Sequence, residues 1–480
     1  MSVVLLLSTY DLGAQPLALA AAAGALRGGG HEVLTCDLSV EGWPSEAVAR
    51  ADCLCCSVPM HTALRLGAEA ARRARAEHPG LPVYFFGLYA EVARAAGLLE
   101  AGDEAFERDE ERALLAACDR LGGPAAEGLT RAVGAVDRDG LPGLGSYARF
   151  ALGDEERLVA TVAASTGCNH RCRHCPVPVV YGGRSEVVEV EAVLADLTGL
   201  VGVGATHVHF ADPDFLNRPQ HARRLVAALH EAHPGLTFDA TIKVSHLLRF
   251  ETILAELAAA GLSFVVSAFE STADVVLAHL DKGHVGADLH AAVRLLRGVG
   301  VEPRPSFLPF TPWTTRQDLV ELFNFVASHD LIDNVDPVQY GIRLLLPPRS
   351  LLLEEPDPVL AAALLPAGPG ELGIPWRAAD PLLDELAAAL AARAEVAEEQ
   401  LEPVGASYLA LRELVFSALG TPDPGLPPLA VTPGPPAARR GHLTESWFCC
   451  AEPTTGQLGR LSVATTPVYL GTSIPMLRAR

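Results

Sequence analysis

The sequence predicts an α/β protein: an N-terminal doubly wound, Rossmann-like domain, then a partial (β/α)6 barrel, then a helical C-terminal extension. Three observations carry this. Short apolar runs alternate with helical stretches over residues 1–125, the alternation resumes six times between Leu158 and Leu346, and past residue 356 helix alone continues. Continuous apolar strands separated by helices imply a parallel sheet covered on both faces. A chain of 480 residues exceeds one ordinary core. We divide it into 1–125, 150–350, 356–420 and 421–480.

In the first unit, Val3-Leu7, Glu32-Cys36, Asp52-Ser57, Pro82-Gly87 and Glu104-Arg108 read as strands, and Pro16-Leu26, Thr62-Ala76 and Asp109-Leu121 as helices. Ligands of such sheets bind beyond the carboxyl ends of the strands. Candidates there are Ser8 to Tyr10, Ser57 to Thr62, and Phe86 to Tyr89. Cys53, Cys55 and Cys56 fall on the third strand, where cysteine serves as a small core hydrophobe.

In the second unit, the strands fit Leu158-Ala163, Thr206-Ala211, Thr237-Ile242, Ser263-Ala268, Val301-Phe307 and Asp336-Leu345, with amphipathic helices between them. Six units are two short of a closed barrel, so the chemistry belongs at the C-terminal ends of the strands of an incomplete one. Those ends carry Asp212-Pro-Asp-Phe215, Lys243, Ser267-Ala-Phe-Glu270, Ser306, Trp313 and Arg343. Each also has a structural explanation: Asp212 and Asp214 as helix caps, Glu270 in a salt bridge with Lys243 or Lys282, Arg343 paired with a buried carboxylate.

Directly after the first barrel strand comes Ser165-Thr-Gly-Cys-Asn-His-Arg-Cys-Arg-His-Cys-Pro176. Cys168, Cys172 and Cys175 give three soft ligands on one short loop, suited to three irons of a cubane cluster with the fourth iron left open. The competing explanation is zinc, completed by His170 or His174. The loop itself offers three cysteines, one short of a closed zinc knot.

The spacing C-x3-C-x2-C after a first barrel strand resembles the radical S-adenosylmethionine (SAM) superfamily. The resemblance implies a [4Fe-4S] cluster on the three cysteines, SAM chelated at the open iron, and reductive cleavage to a 5′-deoxyadenosyl radical. It assigns Asp212 to a turn that grips the SAM amino group, and Ser267 and Glu270 to the ribose or carboxylate. Lys243 and Arg343 are further cofactor-binding candidates. It also implies an electron donor such as flavodoxin or ferredoxin, and a small-molecule or peptide substrate. The order of N-terminal features, an early Pro-Leu-Ala-Leu-Ala helix, Gly-His-Glu-Val, then Pro-Val-Tyr-Phe-Phe-Gly-Leu-Tyr, is similar to the cobalamin-binding domain that precedes many such barrels. Cobalamin is therefore a candidate second cofactor. The Asp-x-His-x-x-Gly signature is missing, and His61 is a candidate corrin contact or a solvated loop histidine.

Composition narrows the partners. A formal charge of -21 leaves no excess of Lys and Arg to neutralise a phosphate backbone. The apolar run Leu17 to Leu26 stops at Arg27, short of a bilayer span, and the N-terminus lacks the basic flank of a signal peptide. Ten clustered cysteines suit a reducing compartment. The expectation is a cytoplasmic protein.

Leu382-Leu401 and Ser407-Leu419 read as helices, and a Pro-rich linker from Thr421 to Pro436 then carries a tail containing Ser446-Trp-Phe-Cys-Cys-Ala-Glu-Pro453. Adjacent cysteines are poorly placed for a relaxed mutual disulfide but present two sulfurs to one soft ion or reactive centre. The string resembles the radical SAM family with a CUAEP or CCAEP tail, in which selenocysteine can replace cysteine. That resemblance makes Cys449 and Cys450 candidate catalytic residues, acting as cluster ligands, hydrogen-atom donors or metalloid holders. Their structural alternative is a buried apolar plug beside Trp447 and Phe448. A rival of another class is an iron-sulfur or metalloid carrier without catalysis, which would not cleave SAM.

Overall fold

The computed structural model describes residues 1–121, 136–368, 370–436 and 439–461. Residues 122–125 of the first unit and 462–480 of the tail unit lie outside the described residues. The first sheet holds β1 (Val3–Ser8), β2 (Glu32–Asp37), β3 (Cys53–Ser57), β4 (Val83–Phe86) and β5 (Glu104–Phe106). All pairings are parallel, in the order β2-β1-β3-β4-β5. Strand order reverses between β1 and β3, which opens a crevice at their carboxyl ends. Helices Leu17–Gly28 and Glu110–Leu121 cover one face, and His61–Glu77 the other. The strands are nearly all buried because both faces are covered.

The second sheet contains β6 (Arg149–Leu152) and β7 (Glu155–Val162), which form an antiparallel hairpin. A small hairpin of β8 (Ser165–Gly167) and β9 (Ser185–Val187) follows outside it. The sheet continues through parallel β10 (Ala205–Phe210), β11 (Thr237–Thr241), β12 (Leu262–Glu270) and β13 (Glu302–Phe307), and β14 (His442–Leu443) joins its far edge. The result is a curled half-barrel with helices outside.

The predicted sixth strand, Asp336-Leu345, is not a regular strand. Pro337–Gly341 forms a 3-10 turn, and only a parallel bridge between Phe310 and Arg343 keeps the barrel position. Packing explains the change. Tyr340 stacks on Phe323 at 4.7 Å and meets Tyr408, while helix Pro381–Glu399 crosses so closely that a Cβ on Gly341 would lie 2.8 Å from the Ala391 backbone. That helix starts where sequence chemistry directs: Pro381 fills the first turn, and the Asp380 carboxylate accepts from the Leu382 amide at 3.2 Å.

The Pro-rich linker is tied down at its few free amides. Ala430 N donates to the Ser328 carbonyl at 2.7 Å and Gly434 N to Asp330 at 2.9 Å. Buried Arg440 then donates to the Asp330 carbonyl and the Asn334 side chain, and His442 and Leu443 pair with Ala151 and Phe150. Among the described residues no helix is long and apolar enough to cross a membrane.

Candidate functional site

The cysteine loop begins in the β8–β9 hairpin. Gly167 has a φ of 72°, and a Cβ there would collide with the Arg184 carbonyl. Only glycine fits without strain. Gly167→Ala is expected to cost about 1–2 kcal/mol from the left-handed backbone alone, before the clash is counted. Iron per chain after anaerobic reconstitution should fall in parallel with the loss in melting temperature, and equal iron at equal stability would contradict this role.

Around the loop, three strand ends contribute. Asn217 accepts the Asn169 amide at 3.0 Å and faces the Cys168 sulfur at 3.6 Å. Asp212 accepts from the Ala164 amide at 2.8 Å and the Ser165 hydroxyl at 2.6 Å, so it holds the loop's entry and caps no helix. Burial pushes its carboxyl up to about 6. Lys243 Nζ lies 3.5 Å from the Cys172 sulfur. Glu270, at the end of β12 with a φ of 61°, accepts from Lys282 and meets His174 of the loop, both at 3.0 Å. Burial alone would raise its carboxyl, but the two cationic neighbours hold it far below the usual range. A non-glycine residue in that backbone region carries strain, as functional sites do.

Asp212, Lys243 and Glu270 thus gather around the cysteine loop. Ser267 and Arg343 do not. Ser267 is fully buried and donates to the Ile242 carbonyl at 2.7 Å. Arg343 pairs with Asp384 at 2.6 Å and lies over the Trp376 ring. Trp313 donates to Asp357 and stacks on His279.

The loop cysteines suit a cluster. Cys168 and Cys172 are buried and Cys175 half-buried, and burial pushes the Cys175 thiol up to about 12. Metal binding must therefore displace its proton. Among the described residues, the groups whose donor atoms all lie within 4.8 Å are Cys53/Cys55/Cys118 and His170/Asp214/His246. The loop cysteines are not among these groups. His170 and His174, the zinc alternatives, are engaged instead with Asp214 at 3.3 Å and Glu270.

All three predicted strand-end candidates of the first sheet meet the chain's own tail. Tyr10 donates to Glu445 at 3.1 Å. The Thr62 hydroxyl donates to the Ala451 carbonyl at 2.7 Å, with the Cys449 carbonyl at 3.3 Å. His61 meets Glu452 at 3.1 Å, beside Arg65 at 2.8 Å. Tyr89 is buried close enough to Cys449, Cys450 and Cys175 to be influenced by all three. The Cys449 and Cys450 sulfurs are 3.6 Å apart. Cys449 packs with the core of the first sheet and Cys450 with that of the barrel, so the pair bridges the two. The hydrogen bond with Cys449, then burial, then Glu270 and Cys175 hold the Cys450 thiol well above its ordinary value.

Although partial desolvation works against it, the His61 and Arg65 contacts hold the carboxyl of the exposed Glu452 down to about 2. A depressed folded value means that its contribution is present above the unfolded carboxyl range and lost as pH falls toward 2. Protection of Ala451 and its neighbours from hydrogen exchange, relative to the intrinsic rate at each pH, should therefore fall between about pH 4 and pH 2, and a Glu452→Gln variant should show this loss of protection already at pH 7. Protection that does not change with pH would contradict the anchor.

Several of these groups are not singled out by sequence: Thr62 as a tail anchor, Asn217, and the pair His207 and His209. The two histidines share one face of β10 and converge on buried Asp239 at 3.0 and 2.8 Å. The His-x-His alternation opposite an Asp on the next strand was the available signal.

Residues 162–326 match the radical SAM superfamily model. No curated protein matches the chain. A radical SAM methyltransferase from Kitasatospora setae, TsrM, solved with cobalamin and a [4Fe-4S] cluster, superposes with a TM-score of 0.53 at 19% identity, covering 69% of this chain and 71% of that one. The cobalamin-dependent SAM radical enzyme OxsB, solved with aqua-cobalamin and SAM, superposes with a TM-score of 0.61 at 13% identity, covering 87% and 73%. The chain carries a radical SAM superfamily domain, and its fold is that of cobalamin-dependent radical SAM enzymes.

Proposed function

We propose that the chain is a radical SAM enzyme in which Cys168, Cys172 and Cys175 hold a [4Fe-4S] cluster. The observation that carries this is three soft ligands on one loop at the mouth of a half-barrel, within the stretch that matches the radical SAM superfamily. A cluster held there, reduced by a donor such as flavodoxin or ferredoxin, would supply the electron for reductive cleavage of SAM. The chain's own groups orient and seal the site. Asp212 fixes the loop entry, Lys243 stands against the Cys172 sulfur, and Glu270, balanced by Lys282, is the strand-end carboxylate closest to the loop histidine. Ser267 is already spent inside the sheet, and Arg343 in the helical extension. In this reading the described residues of 1–125 and 421–480 frame the site that 150–350 builds, and those of 356–420 brace the barrel.

The tail pair is the hydrogen source. Cys450, its sulfur 3.6 Å from that of Cys449 and close to Cys175, places an S–H group beside the cluster loop. Donation forms a C–H bond on the substrate radical and leaves a thiyl radical, which one electron from the reduced carrier and one proton restore.

Anaerobic reconstitution with SAM and mass spectrometry of the adenosyl products tests the first claim. Recovery of 5′-deoxyadenosine is expected, and a protein that binds tetrahedral zinc and cleaves no SAM would overturn it. In D2O without substrate, deuterium from Cys450 should appear in the 5′-deoxyadenosine. Unchanged labelling in Cys450→Ala would remove the donor role.

A second reading, cobalamin-dependent methyl transfer, rests on one feature. A cavity of about 440 Å3 lies beyond β1 and β2, lined by Thr9, Ser39, Ser146, Glu445 and Gln457, polar groups suited to an amide-fringed corrin. His61 is committed to Glu452, so binding there would proceed without it as an axial ligand. Corrin absorbance in protein from cobalamin-fed cells, with S-adenosylhomocysteine as product, would favour this reading.

A further inference from the structure

Cys53, Cys55 and Cys118 lie outside the loop-and-tail site. Strand alternation sends Cys53 and Cys55 to one face of β3 and Cys56 to the other. Cys56 packs alone toward helix His61–Glu77, as core filling requires, and a Cβ on Gly67 would touch its sulfur. The other two meet Cys118 of helix Glu110–Leu121, and all three are completely buried. Their sulfurs lie within 4.8 Å of one another, and the Cys53–Cys118 separation is 3.8 Å.

That separation has a chemical meaning. Thiolates bound to one cation at about 2.3 Å stand roughly 3.8–4.0 Å apart. The trio thus needs little movement to share an ion. Among the described residues no fourth ligand is grouped with the trio: His31, the imidazole that Cys118 senses, accepts from the Ser2 amide at 3.3 Å and meets Asp119 at 3.1 Å. Zinc structural sites want four ligands. Three soft donors in a dry pocket select a soft monovalent cation instead.

We propose that Cys53, Cys55 and Cys118 form a three-thiolate site for a soft d10 cation of the Cu(I) class, at the opposite end of the sheet from the strand-end crevice. Binding releases thiol protons to solvent, so occupancy weakens as pH falls. The proposal is independent of the radical SAM reading, since none of the three touches the loop or the tail.

The test uses full-length, cluster-loaded protein, whose loop cysteines are occupied, exposed anaerobically to Cu(I) in competition with a chromogenic chelator. Wild type should retain one equivalent with a sulfur-only shell in copper X-ray absorption. Cys118→Ala should lose it with iron content unchanged, whereas Cys449→Ala/Cys450→Ala should keep it. If Cys118→Ala fails to fold, volume-conserving Cys55→Val is read in the same assay, with the same loss expected. No retention by wild type, retention by the folded variant, or a native Cys53–Cys118 disulfide found by mass spectrometry would each overturn the site.

Discussion

Replacing any one of Cys168, Cys172 or Cys175 by Ala is expected to abolish 5′-deoxyadenosine formation and to remove most of the brown iron-sulfur absorbance. The loss should exceed the roughly 10–100-fold that removal of an outer partner of a metal site produces, because a direct ligand is deleted. The three positions do not repeat one another. Cys168 is tied to Asn217, Cys172 faces Lys243, and Cys175 leads into helix Pro176–Tyr181 and sits within the influence of Cys450. Fold should survive in all three variants, since none is a large core residue and the sheet closes without them. Normal 5′-deoxyadenosine yield from any of the three would end the cluster assignment.

Glu270→Gln is expected to lower stability by about 3–5 kcal/mol, because it leaves the Lys282 ammonium buried without its partner. Lys282 and Glu270 are both buried, and burial opposes the lysine's charge while Glu270 sustains it. The pH dependence has a definite sign. Glu270's carboxyl is held below its unfolded value, so its contribution is fully present above about pH 4.3 and shrinks as pH falls through the folded value. The gap in melting temperature between wild type and variant should be constant from pH 8 to about 5 and narrow below about 4. The same variant unhooks His174 from the strand end, so iron retention should drop as well. A melting temperature equal to wild type at pH 7 would show that the ion pair carries no net stability.

Much of this architecture was legible in the sequence because its signals are local. Apolar runs such as Val3-Leu7 and Thr206-Ala211 fall on strands, and the cysteine loop follows β7 as its spacing requires. Asp336-Leu345 shows the limit. Its apolar residues suit a strand, but Asp336-Pro337 starts a 3-10 turn, and Gly341 admits a helix fifty residues further on. That contact is tertiary, and no local pattern reports it. Site residues divide in the same way. Asp212 and Glu270 are visible as polar groups at strand ends and Lys282 as one of two lysines to pair with Glu270, whereas the other partners that decide their roles, Ser165 and His174, depend on how loops fold back. Arg343 looked like a cofactor group from its strand alone, and its carboxylate partner lies in the following helix. The tail was readable as unusual chemistry, but its seat on Thr62 and His61 was not.

The edge pairing of His442 and Leu443 onto β6 has a consequence for biogenesis. Translation runs from amino to carboxyl end, so the half-barrel and its ligand loop emerge before the segment that zips onto the sheet and spans the two cores. The ligand loop can therefore take shape before the tail exists, and Cys450 comes beside Cys175 only when this last segment docks.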